Sequence, residues 1–172
     1  VFTYPRFHFD QIGAVFFAFF YAAVMLSYIY RVRLLEQGIL LVWLVIICSW
    51  GCDTCAYCSG MLFGKHKMTP LLSPKKTIEG LIGGVILALA ASYPIYLVTE
   101  TYSFSQWLLI ATVCVLFANF GDLAESLIKR NAGIKDSGTI MPGHGGILDR
   151  FDSMIIVAPI TYLVAIYAIM IK

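Results

Sequence analysis

What this sequence has least of is charge: Asp, Glu, Lys and Arg make up 13% of its 172 residues, against 60% hydrophobic. That shortage, with a mean hydropathy of +0.84, excludes an ordinary soluble domain and identifies an integral membrane protein. No ten-residue stretch of alternating polarity is present either. Its absence excludes a membrane β-barrel and leaves helices as the spanning elements, because open sheet edges cannot survive in lipid. There is no internal repeat, no low-complexity tract, no sign of a second domain and nothing that points to a nucleic-acid partner. The chain opens Val1-Phe2-Thr3 without an initiator Met, and no small-residue cleavage site follows its first apolar run. We therefore expect no signal peptide, and a chain shortened at its N-terminus.

Of the five cysteines, Cys48, Cys52, Cys55 and Cys58 sit in apolar surroundings rather than in a secreted disulfide framework. Cys52, Cys55 and Cys58 have the C-x2-C-x2-C spacing of an iron–sulfur or zinc site, and Cys48 lies one turn earlier. The same spacing marks one face of an uninterrupted helix, whereas cluster ligation needs a looped backbone and a fourth ligand. We read all four as small buried residues facing other helices.

Five apolar runs are present, at residues 12–30, 39–63, 81–99, 101–128 and 151–171. Each matches the roughly 20 residues that cross a hydrocarbon core at about 1.5 Å per residue. The fold expected is an all-α, polytopic transmembrane bundle forming one domain over residues 1–172. Gly80, Gly83 and Gly84 would let another backbone approach the third run closely, and Pro94 and Pro159 fall within the third and fifth. Five crossings put residues 1–11, 64–78 and 129–150 on one side. That side holds Arg6, Lys65, Lys67, Lys75, Lys76, Lys129, Arg130, Lys135 and Arg150; the other holds Arg31, Arg33 and Lys172. Nine basic residues against three make the first side cytoplasmic.

The acids gather at that same face. Asp53 falls 14 residues into the second run, roughly 21 Å along it at about 1.5 Å per residue, towards the cytoplasmic end. Glu79 opens the third run, Asp122 and Glu125 end the fourth, and Asp149 and Asp152 open the fifth. Spacing of i, i+3 puts Asp122 with Glu125, and Asp149 with Asp152, about 5 to 6 Å apart on one helical face. Like charges that close repel unless a cation lies between them. Ion pairing with Lys129, Arg130 or Arg150, or solvation at a helix end, explains Glu79 and Glu125 equally well. For Asp53, Asp122, Asp149 and Asp152 a hard-cation site, with Mg²⁺ as its ion, is the better explanation.

Two polar loops face these acids. The first carries Lys65, Lys67, Lys75 and Lys76 around Ser73-Pro74; topology alone accounts for its charge, and only the second loop's Lys129, Arg130 and Lys135 favour a phosphate role. In the second, Pro142-Gly143-His144-Gly145-Gly146 cannot be helical and suits a backbone nest around phosphate oxygens, with His144 either bonding a phosphate or orienting the loop.

Ser126-Leu127-Ile128-Lys129-Arg130, then Lys135-Asp136-Ser137-Gly138, then Pro142-Gly143-His144-Gly145-Gly146-Ile147-Leu148-Asp149-Arg150-Phe151-Asp152-Ser153 closely resembles the signature of the phosphatidate cytidylyltransferases, or CDP-diacylglycerol synthases. Asp53-Thr54, Ala56-Tyr57, Gly60, Phe63-Gly64-Lys65, Ser73-Pro74-Lys75-Lys76-Thr77 and Glu79-Gly80 resemble that family's other block. The resemblance covers residues 53–153. It implies a Mg²⁺-dependent membrane enzyme, a homodimer, that transfers the cytidylyl group of CTP to phosphatidate. The products would be CDP-diacylglycerol, for phospholipid synthesis, and pyrophosphate. Asp122, Asp149 and Asp152 would be its metal ligands and, with Lys129, Arg130 and His144, its catalytic group. Asp53, Ser73, Lys75, Lys76, Lys135, Asp136, Gly145, Gly146 and Arg150 would bind the substrates. A second cation is left open, and the expected setting is a bacterial plasma membrane. Two rivals stand beside this reading: a CTP-dependent polyprenol or phytol kinase, and a cation transporter using the intramembrane acids as its path.

Overall fold

A computed structural model describes residues 8–70, 72–99, 101–134, 136–138 and 146–170. Five helices in it are long and apolar enough to cross a membrane: α1 (Phe9–Arg33), α2 (Gly38–Phe63), α3 (Ile78–Leu97), α4 (Phe104–Asn131) and α5 (Leu148–Met170). Their ends lie within three residues of the apolar runs. Most of the difference is one extra polar turn, because a helix continues past the hydrocarbon-like stretch once its end is capped. Thr77 provides such a cap for α3, its Oγ1 accepting from Gly80 N at 3.1 Å. Ser103 and Gln106 form a capping box at the start of α4. Pro94 and Pro159 lie inside α3 and α5 as expected.

Between α2 and α3 the first basic loop folds into an antiparallel hairpin, β1 (Lys67–Thr69) and β2 (Ser73–Thr77), with Lys67 opposite Thr77 and Thr69 opposite Ser73. Strands of three and five residues are too short to register as a sequence pattern. The hairpin is latched to α3 by His66, whose Nδ1 lies 2.7 Å from Glu79 Oε1.

The core runs along α4, where Trp107, Ile110, Cys114 and Val115 are fully buried against Leu41, Leu44 and Cys48 of α2 and Val157 and Ala165 of α5. Lipid chains are as apolar as these side chains, so close backbone approach rather than water exclusion holds such helices together. Glycines permit it at two crossings. A Cβ on Gly84 would collide with Cys52 Sγ across the α2–α3 contact, and one on Gly121 would lie 2.9 Å from Ser153 Cα across α4–α5. Asp122 and Asp152 adjoin the second crossing.

Cys48 and Cys52 are buried as expected, but Cys55 is half-buried and Cys58 exposed, because Ala56, Ser59 and Gly60 are the residues of this stretch that face α3 and Thr77, and Cys58 falls off that face. The backbone through Cys52–Phe63 is regular helix, which excludes the looped geometry of an iron–sulfur site.

Candidate functional site

One end of the bundle, where α2 and α4 finish and α3 and α5 begin, collects the polar groups. Lys76 from β2 ion-pairs with Asp122 of α4, to which the Ser126 hydroxyl also donates at 3.5 Å. Asp53 of α2 and Asp152 of α5 lie within electrostatic reach of Asp122 and of the same lysine. Asp152 Oδ1 accepts from Ser153 N at 2.6 Å, while Asp53 makes no hydrogen bond to another described residue. Three carboxylates against one directly paired ammonium leave a formal charge of −2, since −3 + 1 = −2.

Beside this group lies a second, centred on Lys129. Lys129 Nζ is 2.5 Å from Glu125 Oε2 and 2.7 Å from Asp149 Oδ1, and Glu125 is only 1% exposed. Asp149 Oδ2 accepts from Ser137 N at 2.9 Å, Ser137 Oγ at 2.8 Å and Gly146 N at 2.7 Å. Asp149 therefore ties the second polar loop to the start of α5. Gly146 must be glycine for this closure, because a Cβ there would overlap Ser137 Oγ and approach Gly138 N to 2.8 Å.

Three cavities open around these groups. The first, about 300 Å³, is lined by Asp53, Lys75, Lys76, Asn119 and Asp122 among others. The second, about 380 Å³, is lined by Ser73, Lys75, Lys129, Arg130, Asp136 and their neighbours. Asp53, Asp149, Arg150 and Asp152 line the third, about 340 Å³, together with Trp50 and Thr54. Ser73 and Lys75 border the first two, so the hairpin is the wall between them; Asp53 borders the first and third. Trp50 Nε1 donates to Arg150 O at 2.8 Å and fixes the start of α5 against α2.

Of the residues expected in the site, Asp53, Asp122, Asp152 and Lys76 form one electrostatic group, and Lys129 and Asp149 the adjoining one. Ser73, Lys75, Arg130, Asp136 and Arg150 line the cavities, and Gly146 closes the loop. Lys135, His144 and Gly145 lie outside the described residues. Sequence reasoning assigned no role to Gly121, Trp50, Asn119 or Ser137. Ser137 was legible only as part of a motif, since its hydrogen bonds to Asp149 depend on a tertiary approach.

Among the described residues no three Asp, Glu, His or Cys side chains converge as a ready-made metal cage. Mg²⁺ seldom needs one: it is commonly held by one or two carboxylates together with substrate phosphates and water. An all-oxygen donor set in which carboxylates outnumber directly paired cations fits that ion in kind and in sign of charge. Asp53 and Asp152 each have an oxygen to offer, Asp122 has one oxygen paired with Lys76 and the other only in a 3.5 Å contact with the Ser126 hydroxyl, and both oxygens of Asp149 are held by shorter bonds.

Comparison with known proteins gives a consistent result. A Bacillus subtilis protein named phosphatidate cytidylyltransferase is 39% identical over 165 residues, covering 94% of this chain and 61% of its own length. Proteins of that name from Staphylococcus saprophyticus and Staphylococcus haemolyticus are 39% and 40% identical over 163 residues, again covering 94% of this chain and 62% of theirs. The chain thus spans about three fifths of the length of these curated relatives. The cytidylyltransferase family model matches residues 1–168, and the chain belongs to that family.

Proposed function

We propose that the chain transfers the cytidylyl group of CTP to phosphatidate, a step of phospholipid synthesis, at the carboxylate group of Asp53, Asp122 and Asp152. The observation that carries this reading is a group of three carboxylates with one directly paired lysine, beside cavities lined with lysine and arginine, in a chain whose relatives bear the name phosphatidate cytidylyltransferase. The new bond joins a phosphate oxygen of phosphatidate to the α-phosphorus of CTP, and the bond to the β-phosphate breaks, with pyrophosphate leaving on the bond's electron pair. The attacking oxygen is already anionic, so no protein nucleophile or strong base is required.

The protein's part is positioning and charge. Lys75, exposed on the hairpin between two cavities, and Arg130 in the second are the cations available to phosphate oxygens. Lys76 is paired with Asp122 and holds that carboxylate in place. Lys129 is held by Glu125 and Asp149, so its role is to fix the loop and α5 rather than to reach a phosphate. Asp122 and Asp152, with Asp53 beside them, would hold Mg²⁺; Asp149 would join only by releasing Lys129. Bound there, the ion would supply neutralisation of phosphate charge at the transferring phosphorus.

The excess of basic residues in loops on this side supports a cytoplasmic-facing site in a bacterial plasma membrane, and the family resemblance supports a homodimer. The acids lie at one end of the bundle beside basic cavities rather than on a path across it, which supports an enzyme over a transporter. Product analysis separates the transferase from a lipid kinase. Pyrophosphate released in step with CTP consumption supports the transferase, and release of CDP overturns it.

A further inference from the structure

Residues 8–20 are all exposed, and Tyr21, Ala22 and Val24 are half-buried where α1 comes against α5. One atom there breaks the pattern: the Tyr21 hydroxyl is shielded from solvent and makes no hydrogen bond to a described residue. A buried tyrosine hydroxyl ordinarily finds an acceptor, because it enters an apolar region only at the cost of its water contacts. Tyr21 lies in a π-helical stretch, Phe19–Val24, where the extra residue per turn shifts side chains off the regular helical face. Its ring stacks on Phe17, with centroids 5.3 Å apart and planes 15° apart. The charged groups that act on it are Glu125, Asp152 and Asp122, with Lys129 opposing them. Glu125 Oε1 and Ser153 Oγ, from α4 and α5, are likewise buried and without hydrogen-bond partners among the described residues.

The hydroxyl is a donor, and the acids that face it are acceptors it does not reach. A group placed between them that presents an anionic oxygen to Tyr21 would satisfy the donor. A phosphate is such a group, and resting on the reading above, this site is built to take one. We propose that Tyr21 donates its hydroxyl proton as a hydrogen bond to a substrate phosphate oxygen, making α1 a wall of the active site. The phosphate of the lipid and a phosphate of the nucleotide offer the same chemistry, so the experiment treats them separately.

The test compares wild-type protein with Y21F, and with Y28F as a control in the same helix. Binding of phosphatidate and of CTP is measured in separate titrations, alongside cytidylyl transfer. A hydrogen bond to a charged oxygen predicts that Y21F binds one of the two about tenfold more weakly, with melting close to wild type, while Y28F is unchanged. The weakened titration names which phosphate is held. Equal affinity of Y21F and wild type for both would overturn the proposal while leaving the transferase reading intact. Wild-type protein that binds both substrates without transferring would sink the transferase reading, and the Y21F titrations would still decide Tyr21. Should Y21F fail to fold, 3-fluorotyrosine at position 21 replaces it. A fluorine resonance that moves on adding one substrate supports the contact, and one that moves with neither refutes it.

Discussion

Replacing Lys129 with Met should cost about 3 to 4 kcal/mol of stability. The lysine ammonium compensates Glu125, which is 1% exposed and whose Oε1 has no hydrogen-bond partner among the described residues. Removing one partner of a buried ion pair typically costs about 3–5 kcal/mol, because the other charge is left unscreened. Protonation sets a ceiling: a carboxyl with an ordinary pKa of about 4.3 is neutralised at pH 7 for about 3.7 kcal/mol. Asp149 adds little to the loss, since Ser137 and Gly146 continue to donate to its Oδ2. Lowering the pH lets Glu125 take up a proton and removes the buried charge, so the K129M deficit should shrink by about 1.4 kcal/mol per pH unit. E125Q combined with K129M should recover at least half of it, since neutral groups of similar shape replace a buried pair at little cost. Denaturant titration in detergent, followed by circular dichroism for wild type, both single variants and the double, measures each quantity. A K129M loss below about 1 kcal/mol, or a double variant no better than K129M, would refute this account of the pair.

Other outcomes follow from the same geometry. Asp149→Asn should abolish turnover and lower stability by about 1–3 kcal/mol, because a neutral amide cannot hold Lys129 and keep every donor on Oδ2; unchanged rates would remove Asp149 from the site. Gly121→Val should lower the melting temperature by an overpacking cost of about 1–3 kcal/mol. It should also reduce transfer, since parting α4 from α5 separates Asp122 from Asp152. Lys75→Ala should leave stability within about 0.5 kcal/mol while raising KM for CTP, because the side chain is exposed and borders two cavities; an unchanged KM would show that Lys75 holds no phosphate.

The helices were legible because lipid imposes one strong rule, about 20 apolar residues per crossing. Their ends were not: the Thr77 cap starts α3 three residues before its apolar run, and the Ser103 capping box starts α4 three residues inside its own. The carboxylates were legible as a group because charge is so costly inside a membrane that each acid stood out. How they divide was not. Sequence spacing grouped Asp149 with Asp152 and Asp122 with Glu125, yet side-chain direction sends Asp149 and Glu125 to Lys129 while Asp122 and Asp152 share the field of Lys76. Gly121, Trp50 and Tyr21 escaped notice because a lone glycine or aromatic in an apolar run is ordinary until its neighbours are known. The charge of the basic hairpin by itself read as topology, Ser73, Lys75 and Lys76 entered as substrate-binding residues through the family resemblance, and the hairpin's position between two cavities is a tertiary fact.

The most direct test of the central claim is the fate of CTP labelled at its α-phosphate, incubated with the purified protein and phosphatidate in detergent, once with Mg²⁺ and once with chelator. The account predicts label in the lipid fraction with Mg²⁺, an equal yield of unlabelled pyrophosphate, and neither product with chelator. Label recovered entirely in water-soluble CDP, with phosphate added to the lipid, would contradict it.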